Sequence, residues 1–134
     1  GRLNMFFYDP KLKKKLPYYD RFPLVLPLEK YNDGFLGINL HYLPIPLRIK
    51  LLDRLVDFSN NTKFDESTRL NVSYQNLKRV RLIKPTIKRY LAGKVKSRFR
   101  RVDADEFTVA TLLPVQRFSK ATESEVWKDS RKMI

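Results

Sequence analysis

Apolar and polar positions alternate along FPLVLPLEKY (22–31), which puts Phe22, Leu24, Leu26 and Leu28 on one face of a strand. Pro23 and Pro27 share parity, so their missing N–H groups fall along the same edge. That predicts an edge strand pairing on one side only. NDG (32–34) follows, and Asp-Gly tolerates the positive φ of a tight turn. FLGINLHYL (35–43) then alternates with Leu36, Ile38, Leu40 and Tyr42 inward. Residues 22–43 therefore predict a β-hairpin, and NMFFYD (4–9) a further strand.

The period changes at PIPLRIKLLDRLVDF (44–58), where Leu47, Leu51, Leu55 and Phe58 recur at helical spacing and Pro46 suits the first turn. SNNTKFDEST (59–68) is polar and reads as a loop. Leu77, Val80, Ile83, Ile87 and Leu91 predict a helix over 73–92, kinked or split at Pro85 and stopped at Gly93. KVKSRFRRV (94–102) and FTVATLLPV (107–115) predict two strands joined by a DADE turn. A last helix, 122–132, begins at Thr122 with Glu125 three residues on, a capping-box spacing, and offers Val126 and Trp127 as a docking face. The elements together predict an α+β fold. It has a small antiparallel sheet (hairpin 22–43, strands near 94–102 and 107–115) and helices near 46–58, 73–92 and 122–132. A chain of 134 residues with 43% hydrophobic content supports one domain over 1–134 with a real core. The missing initiator Met leaves room for it to be part of a longer protein.

Charge changes the picture. The net charge is +14, and twelve of the 28 basic residues but none of the 14 acidic ones lie in 67–102. Such a one-signed block is an electrostatic footprint for a polyanion; the alternative is a solvated basic face that binds nothing in particular. As a strand, 94–102 would project Lys94, Lys96, Arg98 and Arg100 from one face at about 6.7 Å spacing, with Val95 and Phe99 toward the core. The residues expected to carry binding are Lys78, Arg79, Arg81, Lys84, Lys88, Arg89, Lys94, Lys96, Arg98, Arg100 and Arg101. No base-reading motif accompanies them, so the expected contact is the phosphate backbone of duplex DNA, independent of sequence and sensitive to salt. Membrane phospholipid fits less well, because the basic face lacks the apolar companion of an interfacial helix. No apolar run approaches the roughly 18 residues of a membrane span, and no signal-peptide h-region is present.

Catalytic chemistry is thin. His41 lies between apolar neighbours with no Ser or Cys partner indicated, and reads as structural or surface. Asp103, Asp105 and Glu106 read as turn acids balancing nearby arginines, not as the metal site of a nuclease. Cysteine is absent, which fits a reducing compartment and rules out thiol–metal sites. No catalytic residue, metal or cofactor is expected. KLKKK (11–15) adds a second cationic patch. Tyr18 and Tyr19 beside it read as half-buried scaffold before stacking platforms.

At YDPKLKKKLPYYDRFPLVLPLEKYNDGFLGINLHYLP the chain resembles the DNA end protector proteins of contractile-tailed phages. The similar features are Y-D-P-K, L-P-Y-Y-D-x-F-P-L, D-G-F-L-G and H-Y-L-P, and near the C-terminus L-P-V-x-R-F and V-W-x-D-S-R. The middle of the chain, basic strand included, matches no motif of that family. The resemblance implies a non-enzymatic virion protein that binds the ends of packaged double-stranded DNA, shields them from host exonuclease, and assists head completion. Its setting would be the virion, and the host cytoplasm during assembly and after injection. The rival reading is a structural protein of the neck or tail, a homo-oligomeric ring for instance, whose charge serves assembly with other phage proteins of the head–tail junction. A metal-dependent nuclease is the third reading.

Overall fold

The structure is a computed structural model that describes residues 3–59, 80–102 and 106–134, and of residues 56–59, 107 and 108 the backbone only. The expected loop 59–68, the first part of the expected 73–92 helix, and Arg69, Lys78, Arg79, Asp103 and Asp105 lie outside those residues or all but outside them. The fold is α+β. Strands β1 (Asn4–Met5), β3 (Leu24–Tyr31), β4 (Gly34–Asn39), β5 (Ile87–Leu91) and β6 (Arg100–Arg101) form an antiparallel sheet in the order β5-β4-β3-β1-β6. Strands β2 (Tyr19–Asp20) and β7 (Phe118–Ser119) pair separately. Among the described residues the α-helices are α1 (Ile45–Ser59), α2 (Phe107–Leu112) and α3 (Glu123–Met133).

The hairpin stands where expected, with Asn32 and Asp33 at its turn and a bulge between Pro27 and Glu29. Its first strand is not an edge strand. β1 pairs with Leu24 and Val25, between the two prolines, and the pairing stops there. The prolines thus limit β1 to a short match without barring it. Leu24 and Leu26 are buried on one face of β3 and Val25 on the other, so the sheet is covered on both sides. One face joins Leu3, Ile38 and Leu40 to Leu51 and Leu55 of α1; the other gathers Phe6, Tyr8, Val25 and Tyr90. Helix α1 extends the expected span by one residue at each end, and Leu51 and Leu55 are fully buried on its inner stripe.

Two further expectations fail. Residues 80–92 are not a helix: Arg81–Ile83 form one 3-10 turn, and Ile87–Leu91 are β5, paired with β4 from Ile38 to Gly34. Pro85 breaks the helical frame, and the residues after it alternate Ile87, Arg89 and Leu91 against Lys88 and Tyr90. Helical and strand periods both fit so short a run, and the open edge of β4 decides between them. Gly93 accordingly sits in the 3-10 turn Ala92–Lys94 instead of ending a helix. Residues 107–115 are not a strand either. Phe107–Leu112 coil into α2 against α1 despite two threonines and a valine, and the helix ends ahead of Pro114. The last helix holds: the Thr122 hydroxyl accepts from the Glu125 N–H while the Glu125 carboxylate accepts from the Thr122 N–H.

Gly34 lies against β5 so closely that a Cβ there would collide with the Tyr90 carbonyl, a backbone group that cannot swing aside. Gly93 has nothing within 4 Å of the same point. Gly34→Ala is expected to cost about 3 kcal/mol by forcing β5 from β4, whereas Gly93→Ala changes stability by less than about 0.5 kcal/mol. Urea denaturation of the two variants checks this.

Candidate nucleic-acid interface

The expected basic strand is real as a partner of the N-terminus but is broken in its middle. Residues 95–102 run antiparallel to residues 3–8: Tyr8 bridges Val95, the Lys96 N–H donates to the Phe7 carbonyl at 2.8 Å, and the Val102 N–H donates to the Leu3 carbonyl at 2.8 Å. Arg100 and Arg101 face Met5 and Asn4 as β6. Between these ties the Ser97 hydroxyl accepts the Phe7 N–H at 2.8 Å. A side chain thus stands where a backbone carbonyl would continue the ladder, which bulges at 97–99. The expected parity survives in part. Val95 packs on the Phe6, Tyr8 and Tyr90 cluster. Phe99 turns the same way, and its ring meets Phe6 at 4.9 Å and Phe35 at 5.9 Å. It is nevertheless 52% exposed, so the expected core residue is a surface aromatic with its edge against the core.

The expected cations fall in three places. Lys94, Lys96, Arg98, Arg100 and Arg101 follow one another along this strap; Lys94 is half-buried and the other four are exposed. Among the described residues, Arg98 and Arg100 join no ion pair. Arg81 and Lys84 are exposed on the turn ahead of β5, beside α1. Lys88 and Arg89 lie on β5. Arg89 donates to Asp33 at 2.7 Å and covers the Tyr31 ring at 4.5 Å, so its charge is already engaged. Lys13 of the second patch is likewise bonded to Asp9 at 3.0 Å. Glu106 is exposed at the start of α2.

Lys88 is the exception. Its ammonium lies 4.0 Å from the centre of the Tyr42 ring, beside a cavity of about 330 Å³ lined by Tyr8, Leu12, Leu16, Tyr18 and Asp20. Burial lowers its pKa from the usual lysine value to about 8. Tyr18 and Tyr19 are half-buried, Tyr18 against Tyr42 and Tyr19 in β2, which is the scaffold role expected of them.

Two buried polar groups went unread in the sequence. The Asp20 carboxylate accepts from His41 Nδ1 at 2.8 Å, Asn39 Nδ2 at 3.0 Å, the Phe22 N–H at 3.0 Å and the Arg117 N–H at 3.1 Å. Burial works to raise its pKa, but the His41, Asn39 and Phe22 bonds outweigh burial and hold it below the ordinary value. His41 is fully buried, not at the surface. The Arg48 guanidinium, also fully buried, donates to the carbonyls of Leu43, Thr111 and His41 and to Gln116 Oε1. Its signal was present: Arg48 precedes Leu51 and Leu55 by three and seven residues, on the same stripe of α1.

A family model described as phage T4 terminal DNA protecting protein matches residues 1–130. No curated protein and no solved structure gives a significant match.

The Lys88 shift has a definite sign. Its folded-state pKa lies below the unfolded value of about 10.4, so the fold disfavours the charged form. Stability should rise as pH climbs from about 8 toward 9.5, with a slope of at most about 1.4 kcal/mol per pH unit for the one proton. Lys88→Met should abolish that rise and stabilise the protein at pH 7. Thermal unfolding across this pH window distinguishes the two proteins.

Proposed function

The chain belongs to the phage T4 terminal DNA protecting protein family, and from that premise we propose that it covers the ends of packaged duplex DNA without acting on them chemically. The observation that carries this reading is the strap from Lys96 to Arg101, where exposed cations follow one another and Arg98 and Arg100 have no acidic partner among the described residues. Cations held on a backbone tied to the sheet are suited to phosphate oxygens, and the counterions they release favour binding to any sequence. Lys94 belongs to the same strap, Arg81 and Lys84 form a separate exposed pair beside α1, and Lys78 and Arg79 complete the proposed set. Lys88 and Arg89 contribute less, since one is half-buried over a tyrosine ring and the other is paired with Asp33.

Protection on this reading is occlusion: an exonuclease that must load on a free end finds it occupied. The protein acts as one α+β domain, resides in the virion, and meets the host cytoplasm during assembly and after injection. Its neighbours there are the structural proteins of the head–tail junction, where it also serves head completion. No step of the reading needs a metal or a cofactor.

If five to eight phosphates are contacted, log K for duplex DNA against log salt should have a slope of about −4 to −7. Replacing Arg98 and Arg100 by Gln should bring that slope about 2 units closer to zero and weaken exonuclease protection in parallel, with melting temperature unchanged. A slope near zero for the parent would rule out backbone contact.

Occlusion is also reversible. Linear DNA incubated with the protein and Mg²⁺ or Mn²⁺, then stripped of protein, should be intact and fully sensitive to exonuclease again. Nicked or shortened strands that disappear on Asp105→Ala would instead establish the nuclease reading.

A further inference from the structure

We propose that the groove beside Phe99 receives an unstacked base from the DNA terminus, and so distinguishes an end from the interior of a duplex. The inference rests on the end-binding reading and deepens it. Phosphate contacts are the same along the whole of a duplex, so a surface made only of cations cannot prefer an end. An end differs in having terminal bases that are stacked on one side only and can splay out at low cost. Reading it requires a flat apolar surface next to the cations.

The fold makes such a surface between β3 and the basic strap. β1 pairs with Leu24 and Val25 of β3 and goes no further. Beyond that pairing, a groove of about 1090 Å³, open to solvent, lies between the second half of β3 and the strap. Its walls include Pro27, Leu28, Phe35, Val95 and Phe99, and Lys30 and Arg101 stand among them as exposed cations. Phe99 is held edge-on by Phe6 and Phe35, with more than half its surface in solvent. Such a buttressed ring, flanked in the chain by Arg98 and Arg100, is suited to base stacking, which tolerates any sequence because every base has a π face. Glu29 also lines the groove; it accepts from the Tyr31 hydroxyl at 2.9 Å and is positioned to accept from an exocyclic amine. Charge decides between occupants. An apolar side chain of a partner protein would fit the walls, but the cations around them favour an occupant that carries phosphate.

The test compares an open-ended duplex with a dumbbell of equal length whose two ends are closed by hairpin loops, using the full chain. The parent should bind the open duplex more tightly. Phe99→Ala should weaken binding to the open duplex by about tenfold and leave dumbbell binding unchanged, while Phe99→Trp keeps the preference. A 2-aminopurine at the terminal position should change its emission on binding the parent but not Phe99→Ala, and an internal 2-aminopurine should not respond. Should Phe99→Ala not fold, Phe99→Leu keeps the apolar bulk, lacks the ring, and is expected to behave as the alanine variant. A parent that binds neither DNA overturns the end-binding reading itself. A parent that prefers open ends while Phe99→Ala or Phe99→Leu keeps that preference and the 2-aminopurine response leaves that reading intact and overturns the groove's role. It then assigns the groove to a protein partner. Equal binding of both DNAs by the parent also overturns it.

Discussion

One buried carboxylate organises much of this molecule. Asp20 is 4% exposed, and a charge so placed is tolerable only if its oxygens are satisfied. Its four donors come from three separate parts of the chain: the loop after β2, the end of β4 with the turn that follows, and the segment leading into β7. Burying Asp20 therefore requires these parts to be assembled together. Arg48 makes a similar demand nearby, binding two carbonyls just ahead of α1 and one in α2, with the centre of the Trp127 ring 5.6 Å from its guanidinium carbon. The Trp127 indole N–H in turn donates to the His41 carbonyl at 2.9 Å, which seats α3. These bonds join the first third of the chain to the last, and the apolar core fills in between.

That arrangement gives the sequence resemblance a physical meaning. L-P-Y-Y-D-x-F-P-L contains Asp20, H-Y-L-P contains His41, L-P-V-x-R-F contains Arg117, and V-W-x-D-S-R contains Trp127. Four of the six motifs that marked the family thus supply residues of the buried polar assembly. The strap proposed to face DNA lies in the stretch that matched no motif. This is reasonable for contact with phosphates, which asks for exposed positive charge near a surface and accepts many spacings, whereas a buried hydrogen-bonded group accepts very few.

Local chemistry made part of the fold legible. Asp-Gly between two alternating runs marked the hairpin, the i, i+4 leucines marked α1, and Thr122 with Glu125 marked α3. Long-range competition hid the rest. Residues 87–91 satisfy a helical period as well as a strand period, and only the vacant edge of β4 selects the strand. FTVATL has strand-like residues, yet α1 provides a surface on which it packs as a helix. The basic strap was expected to be a strand turning into a second strand at 107–115; it instead runs antiparallel to the N-terminus, with only Arg100–Arg101 as a strand, and Ser97 interrupts it through a hydroxyl bond to a residue ninety positions away. Phe99 could not be seen as half-exposed from parity alone, because parity gives a face and says nothing of whether that face is covered.

The two edges of the main sheet are β5 and β6, and they carry Lys88, Arg89, Arg100 and Arg101. Unpaired strand edges invite copies of a protein to join through their backbones, and lysine or arginine on such edges is a common safeguard. The charge proposed to hold a polyanion would thus have a second effect when none is bound: it disfavours edge-to-edge pairing of free copies. A phosphate backbone laid along the strap would neutralise that repulsion, so protein already on DNA loses a barrier to self-association that protein in solution retains.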